Sequence, residues 1–209
     1  SIAYSALAAA AVAVLVLFAC RVIQKKKNGF GTALEYGLLI PWLLPTTLIA
    51  IGLITTYNRH NPLMFGKVLT GSFFLMFLWY VIIKIPFTLR MTKAAFFALD
   101  DSLEDAAKNL GASSIYTFFR VILPVVLPTV LAILALNFNG LLGDYDMSVF
   151  LYHPLNQPLG VYIKELTDAQ TNADNSALTF VYAVLMMVIS GIVLYLVYGR
   201  GNSKLDDTQ

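Results

Sequence analysis

Five apolar stretches, each long enough to cross a bilayer as a helix, fix what this 209-residue chain can become: about residues 6–23, 36–56, 68–89, 124–142 and 177–198. A helix needs about 20 such residues to span the hydrocarbon. No water is present there to satisfy backbone amides, so an isolated strand of that length is excluded and a helix closes its own hydrogen bonds. The expected fold class is therefore all-α, a polytopic helical bundle of five transmembrane helices. Composition bears on this at one point. Only 12% of residues are charged and 58% are hydrophobic, whereas soluble domains carry about 25% charged residues. A soluble globular protein is excluded, and five crossings leave no length for a soluble catalytic domain. The single cysteine, Cys20, lies inside the first stretch, which excludes a disulfide framework and a cysteine metal cluster; it reads as a buried, inert thiol.

Alternating the five stretches across a membrane sorts the basic residues. Arg21, Lys25, Lys26, Lys27, Lys84, Arg90, Lys93, Lys108, Arg120, Arg200 and Lys204 fall on one side, and Arg59, Lys67 and Lys164 on the other. Eleven against three assigns the first side to the cytoplasm, because basic loops are retained there. The C-terminus is expected inside, and Ser1 outside. With no initiator Met, basic n-region or cleavage signature ahead of the first stretch, the expectation is a missing upstream helix, giving six spans, or one half of a longer fused protein. Lys84, one turn from the inner end of its stretch, is expected to snorkel to the interface, leaving no charge at the bilayer centre. The net charge of +2 gives no reason to expect nucleic acid. No repeat or low-complexity tract appears, and residues 199–209 read as a short solvated tail.

Between the third and fourth stretches, residues 100–123 are longer than a connector needs, and they are patterned. Asp101 and Glu104 have capping-box spacing, which starts a helix near Ser102. Leu103, Ala106, Ala107 and Leu110 recur at helical spacing opposite Glu104, Asp105 and Lys108. Gly111 supplies the stop, since glycine enters the left-handed cap conformation without a Cβ penalty. A second helix restarts near Ser113 with Ile115, Phe118, Phe119 and Ile122 as its apolar face. Pro124 and Pro128, which lack an N–H, are expected to bend the backbone at the bilayer surface.

Asp105-Ala106-Ala107, three residues, Gly111, nine residues, then Val121-Ile122-Leu123-Pro124 resembles the E-A-A, x3, G, x9, I-x-L-P signature of permease subunits of type I bacterial ABC importers. The match covers about 20 residues in fixed order and stands before the penultimate span, as in that family. Two positions depart from it: Asp105 replaces the usual Glu and Val121 the usual Ile, so a contact that needs Glu's reach is in doubt. The resemblance implies that residues 1–209 form one importer transmembrane domain in a bacterial inner membrane. It implies that residues 102–111 are the coupling helix, seated in a groove of a cytoplasmic ATPase, with Glu104, Asp105, Ala106, Ala107, Leu110, Gly111, Leu123 and Pro124 as coupling residues. ATP and magnesium would reside on that partner, since this chain has no G-x-x-x-x-G-K-[ST] loop, and the chain itself is expected to bind no cofactor or metal. A second permease half and an extracytoplasmic solute-binding protein complete the implied assembly. The physical alternative for the helix is a membrane-surface amphipath, but such helices are Lys/Arg-rich and this one is acidic.

Pro41, Pro45 and Pro86 can kink helices, for packing or for gating. Asn137 and Asn139 are the most polar residues at depth in the fourth stretch, and a buried amide there needs a partner or a cavity; interhelical bonding and path lining both remain open, and two-residue spacing points one of them away from any path. Asp144 and Asp146 close the outer end of that stretch, as solvated helix-end carboxylates or an outer cation site. Asn137, Asn139 and Asp144 are the translocation-path candidates. His60 and His153 lie in external segments without a partner at metal-ligand spacing. In the external segment 143–176, an amphipathic turn or helix is expected at residues 161–166, and the run from Asp144 to Gly160 resembles ferric-iron-type permeases more than the polyamine or phosphonate branches. Iron import is thus the expected activity, with a polyamine, a phosphonate or another small solute as the alternative. An ion-coupled carrier, the rival from another class, needs buried ionisable residues or broken helices at the midplane. An intramembrane enzyme needs a catalytic pair that is not evident.

Overall fold

The computed structural model describes residues 1–25, 29–59, 68–146, 148–153, 155–168 and 173–199. Ten α-helices are found in them: α1 (Ile2–Lys25), α2 (Gly29–Leu39), α3 (Thr46–Tyr57), α4 (Phe73–Phe97), α5 (Asp101–Asn109), α6 (Ser114–Thr117), α7 (Leu123–Leu142), α8 (Ser148–Leu151), α9 (Leu159–Asp168) and α10 (Ala173–Leu194). No β-strand occurs among the described residues, so the all-α bundle stands. His60, the Lys26 and Lys27 loop and the tail 200–209 lie outside them.

Four helices are long and apolar enough to cross a membrane: Ile2–Lys25, Phe73–Phe97, Ser114–Leu142 and Asn175–Val197. The expected second span does not form one rod. Residues 36–56 are divided between α2, a tight turn at Ile40–Trp42 and α3, with a 96° bend between the two arms. Two prolines cause it. Pro45 has no N–H to continue a helix and disfavours the helical conformation at Leu44, so the chain stops after Trp42 and restarts at Thr46. A fifth span exists only if the bent pair is counted as one.

The third span is also displaced. The helix begins at Ser72, whose side chain caps it by accepting from the Leu75 N–H at 3.2 Å, and runs to Phe97, two turns beyond the apolar stretch. Thr92, Phe96 and Leu89 are buried there, so tertiary packing carries the helix through a more polar sequence. Lys84 therefore sits one residue from the centre of a 25-residue helix, about 16 Å from its start at 1.5 Å per residue. It is thus more than three turns from the inner end of its helix, not the one turn that the apolar stretch alone suggested.

Helices α1, α4 and α7 form the core. The inward stripe of α1 is made of small and branched residues, Ser5, Ala8, Ala9, Val12, Val16 and Cys20, all buried, while Leu7, Val14 and Phe18 point outward. Lipid gives no reason to hide large apolar side chains, so small ones are placed where backbones approach closely. Val12, Val16, Cys20 and Ile23 pack against Val81, Ile85 and Leu89 of α4 and against Phe118, Ile122, Val126 and Val130. None of the apolar window of α10 is buried; it leans on α9 and the edge of α7 and presents Phe180, Val184 and Met187 outward.

Candidate functional site

The segment singled out in the sequence is a helical hairpin at the end of the bundle where α1 and α4 finish. Helix α5 is capped by Asp100, whose carboxylate accepts from the Ser102 N–H at 2.9 Å; that bond holds the Asp100 carboxyl below the usual carboxylate range. The cap is one residue earlier than the expected Asp101, and Glu104 does not close a capping box. Glu104 instead forms a two-pronged ion pair with Arg21 of α1, at 2.9 and 3.1 Å. Arg21 is steadied by Gln24 at 3.1 Å and lies over the Phe118 ring at 5.7 Å. The Arg21 hydrogen bonds hold the Glu104 carboxyl below its ordinary range against the opposing effect of burial. Lys108 adds an exposed contact to Asp105 at 3.2 Å. No local signal reveals the Arg21–Glu104 pair, because its members are 83 residues apart; the informative hint was a lone arginine at the end of an alanine-rich helix.

Gly111 has φ of 81°, the left-handed conformation expected of it, with open space where a Cβ would stand. The elbow closes through Gly111 N–H to Lys108 O and Ala112 N–H to Ala107 O, at 2.9 and 3.0 Å. Beyond it, Ser113 caps α6 by accepting from Tyr116 N–H. The anticipated apolar stripe splits into two faces. Ala107 is buried against the bundle, while Leu103, Ala106 and Leu110 face outward, Leu110 being 89% exposed. Likewise Phe118 and Ile122 are buried, whereas Ile115 and Phe119 are exposed. One face grips this chain and the other is free.

Leu123 and Pro124 open α7. The helix Ser114–Leu142 is continuous through both prolines, so they do not break it. A π-helical turn stands at Phe118–Ile122, with Leu123 N–H donating to Phe118 O five residues back. Pro124 cannot donate to the carbonyl four residues earlier, and a widened turn accommodates the loss without breaking the helix.

Deeper in the bundle, Asn137 is buried and its amide donates to Thr88 Oγ1 at 2.7 Å, while Thr88 donates to the Lys84 carbonyl at 2.6 Å. Asn139 has a buried amide oxygen without a partner. The two asparagines do separate, as their spacing required. Asn137 lines an open-sided cleft of about 490 Å³ shared with Trp42, Thr46, Lys84, Phe87 and Leu136. The bend between α2 and α3 forms one wall, and among the described residues Lys84 brings the only charged side chain to the lining. Asp144 is elsewhere engaged. It accepts from the Ser148 N–H and hydroxyl at 3.2 and 2.9 Å, and Ser148 is bonded to Tyr80 at 2.6 Å. Burial pushes the Asp144 carboxyl upward, opposed by the Ser148 hydrogen bonds. This carboxylate is a partly buried tie rather than a solvated helix end. The expected helix at residues 161–166 is the centre of α9, and His153 stacks on Phe73 at 5.4 Å. Among the described residues no group of three His, Cys, Asp or Glu is placed to hold a metal ion.

The family described as binding-protein-dependent transport system inner membrane component matches residues 25–206. A probable ABC transporter permease protein of Sinorhizobium fredii is 36% identical over 194 residues, covering 93% of this chain and 34% of its own length. A permease assigned to 2-aminoethylphosphonate transport in Salmonella paratyphi A is 25% identical over 150 residues, 72% of this chain and 55% of its own. The chain thus spans about a third and about half of these two relatives. In fold, it is similar to a chain of a bacterial alginate ABC transporter solved with an alginate-bound periplasmic protein, at a TM-score of 0.75 and 15% identity, covering 94% of this chain and 75% of that one.

Proposed function

The chain belongs to the family of binding-protein-dependent transport system inner membrane components, and on that premise we propose that it is the membrane-spanning permease of an ABC importer for a small solute. It works by alternating access as cytoplasmic ATPase subunits bind and hydrolyse ATP with magnesium, and it makes no covalent chemistry itself. The single observation that carries this reading is the two-faced hairpin. Glu104 and Ala107 fasten it to the bundle, and Leu103, Ala106, Leu110 and Ile115 are left outward. A lever needs both properties, a rigid hold on the spans and a free surface for the engine. An ATPase that grips the outward face moves α5, and the Arg21 clamp passes the motion to α1. Such contacts shift an inward-open to outward-open equilibrium only if they differ between the ATPase's two states.

Ten basic residues, Lys84 set aside, against three on the other side support a cytoplasmic location for the hairpin and the C-terminus. The uncovered face of α10 and the open-sided cleft support a second permease half, as another copy or a different half. An external solute-binding protein delivers the solute. The iron reading draws on the run from Asp144 to Gly160 alone; Asp144 is occupied by Ser148, and Lys84 in the cleft repels a bare cation. The bent α2–α3 pair and the central Lys84 are also features of an ion-coupled carrier, but such a carrier has no use for an elbow like Gly111. Replacing Gly111 with Trp forces a large side chain into a left-handed backbone outside the bundle. The expected result is normal membrane insertion with ATPase subunits lost from the purified complex, or retained with uptake abolished. Unchanged solute uptake would refute the assignment.

A further inference from the structure

Lys84 is a mid-span cation without a mate. Its ammonium makes no hydrogen bond or ion pair among the described residues, and its attraction to Asp144 acts only at a distance. Asp144 is already bonded to Ser148. A charge inside a membrane-spanning helix is costly and marks a pathway or a partner by default. Lys84 lines the cleft of about 490 Å³, where one water needs only about 10–15 Å³. Room therefore remains for a small ion with several waters.

The rest of the lining has matching polarity. Thr46, the first residue of the twelve-residue α3, stands in the cleft wall, and Pro45 at its N-cap supplies no side-chain acceptor. The positive end of a helix dipole is thus turned toward the same space as Lys84. Discontinuous membrane helices place anionic groups at such ends. Asn137 has its amide nitrogen engaged by Thr88, and its amide oxygen makes no hydrogen bond among the described residues. Among the described residues no carboxylate lines the cleft, so Lys84 there has no counter-charge to offer a cation.

We propose that Lys84, with the N-terminus of α3, forms an anion-selective site on the translocation path, and that the solute is a small oxyanion or carries an anionic group there. This rests on the permease reading above. Gly140 supports it from the facing helix: a Cβ there would lie 2.8 Å from the Lys84 Nζ, so glycine leaves the ammonium the space it occupies.

The test uses the whole transporter, with its ATPase and binding protein, in nanodiscs. Radiolabelled sulfate and inorganic phosphate are the anionic probes and putrescine the cationic one. The expected result is measurable binding of at least one oxyanion, weakened about tenfold or more by Lys84→Gln, since hydrogen bonds to a charged group carry that much discrimination. Lys84→Arg retains most of the binding. Gly140→Ala, which displaces only the tip of a flexible side chain, weakens it in the same direction and guards against a misfolded Lys84 variant. Putrescine does not bind. Absence of binding by both oxyanions, equal binding of putrescine, or binding unchanged in Lys84→Gln overturns the proposal. So does a Lys84→Gln complex that loses its second membrane half while keeping anion affinity, which would make Lys84 an assembly contact. Parallel measurement of ATPase retention in Gly111→Trp separates the two claims: loss of the ATPase in that variant, together with anion binding unchanged in Lys84→Gln, spares the permease reading and sinks only this site.

Discussion

Replacing Glu104 with Gln isolates the clamp that joins the hairpin to α1. The side chains of Arg21 and Glu104 are 10% and 19% exposed, so the pair is mostly shielded and its two hydrogen bonds are charge-assisted. Such bonds contribute about 1.5–3 kcal/mol each, and stranding a buried charge costs about 3–5 kcal/mol. Arg21 lies at the wet end of the bundle and keeps Gln24 at 3.1 Å, which lowers the expected loss to about 2 kcal/mol, in line with the measured range for charged hydrogen bonds. That is a factor of about 30 in the docked population of α5. Amide hydrogen exchange over residues 103–109 in the intact complex reads this population directly, because local opening free energies set exchange rates. Lys108→Ala is the control: its ion pairs are half exposed and surface pairs contribute only about 0–1 kcal/mol. A double-mutant cycle with Arg21→Met should return a coupling energy of about 2 kcal/mol. Exchange in Glu104→Gln within about twofold of wild type, or indistinguishable from Lys108→Ala, would refute the clamp.

The same clamp has a definite pH dependence. A carboxyl held below its ordinary range contributes its full stabilisation above the unfolded value of 4.5 and loses it as pH falls through the lower folded value; spin-label distances between α1 and α5 should lengthen only in that acid window. Gly160→Ala places a Cβ 2.5 Å from the Asp144 carbonyl oxygen and 2.8 Å from that of Gly143, both rigid backbone, so thermal unfolding in detergent should show destabilisation of about 1–3 kcal/mol. Thr88→Val strands the Asn137 amide and should cost about 1–3 kcal/mol, while adding Asn137→Leu should recover most of the lost melting temperature. Failure of that rescue would show that the 2.7 Å bond is not what the threonine supplies.

The spans and the hairpin were legible because both are local patterns: an apolar run, a helical period, a glycine placed to stop a helix. Gly111 has the conformation its position required, and Ser113 begins the second helix as anticipated. What could not be read locally was set by distant packing. Asp101 looked like the cap because Glu104 is three residues on, yet Glu104 is taken by Arg21, and Asp100 caps instead. Lys84 looked interfacial because hydropathy ends near Leu89, whereas burial of Thr92 and Phe96 extends α4 to Phe97 and leaves the lysine central. Pro41 and Pro45 were recognised as kink sites, but a 96° turn follows from their joint effect on the residues between them. Asp144 was read as a helix end in solvent because Tyr80 and Ser148 are invisible from its neighbours in sequence.

The widened turn at Phe118–Ile122 holds one residue more than an ordinary helical turn, so the hairpin and the membrane helix beyond it are out of phase by about 100° relative to a regular rod. The number of residues between Gly111 and Pro124 is therefore a setting of azimuth as well as of length. Deleting one of them would leave a perfectly good helix, with the outward face of the hairpin turned about a quarter-turn from its present direction.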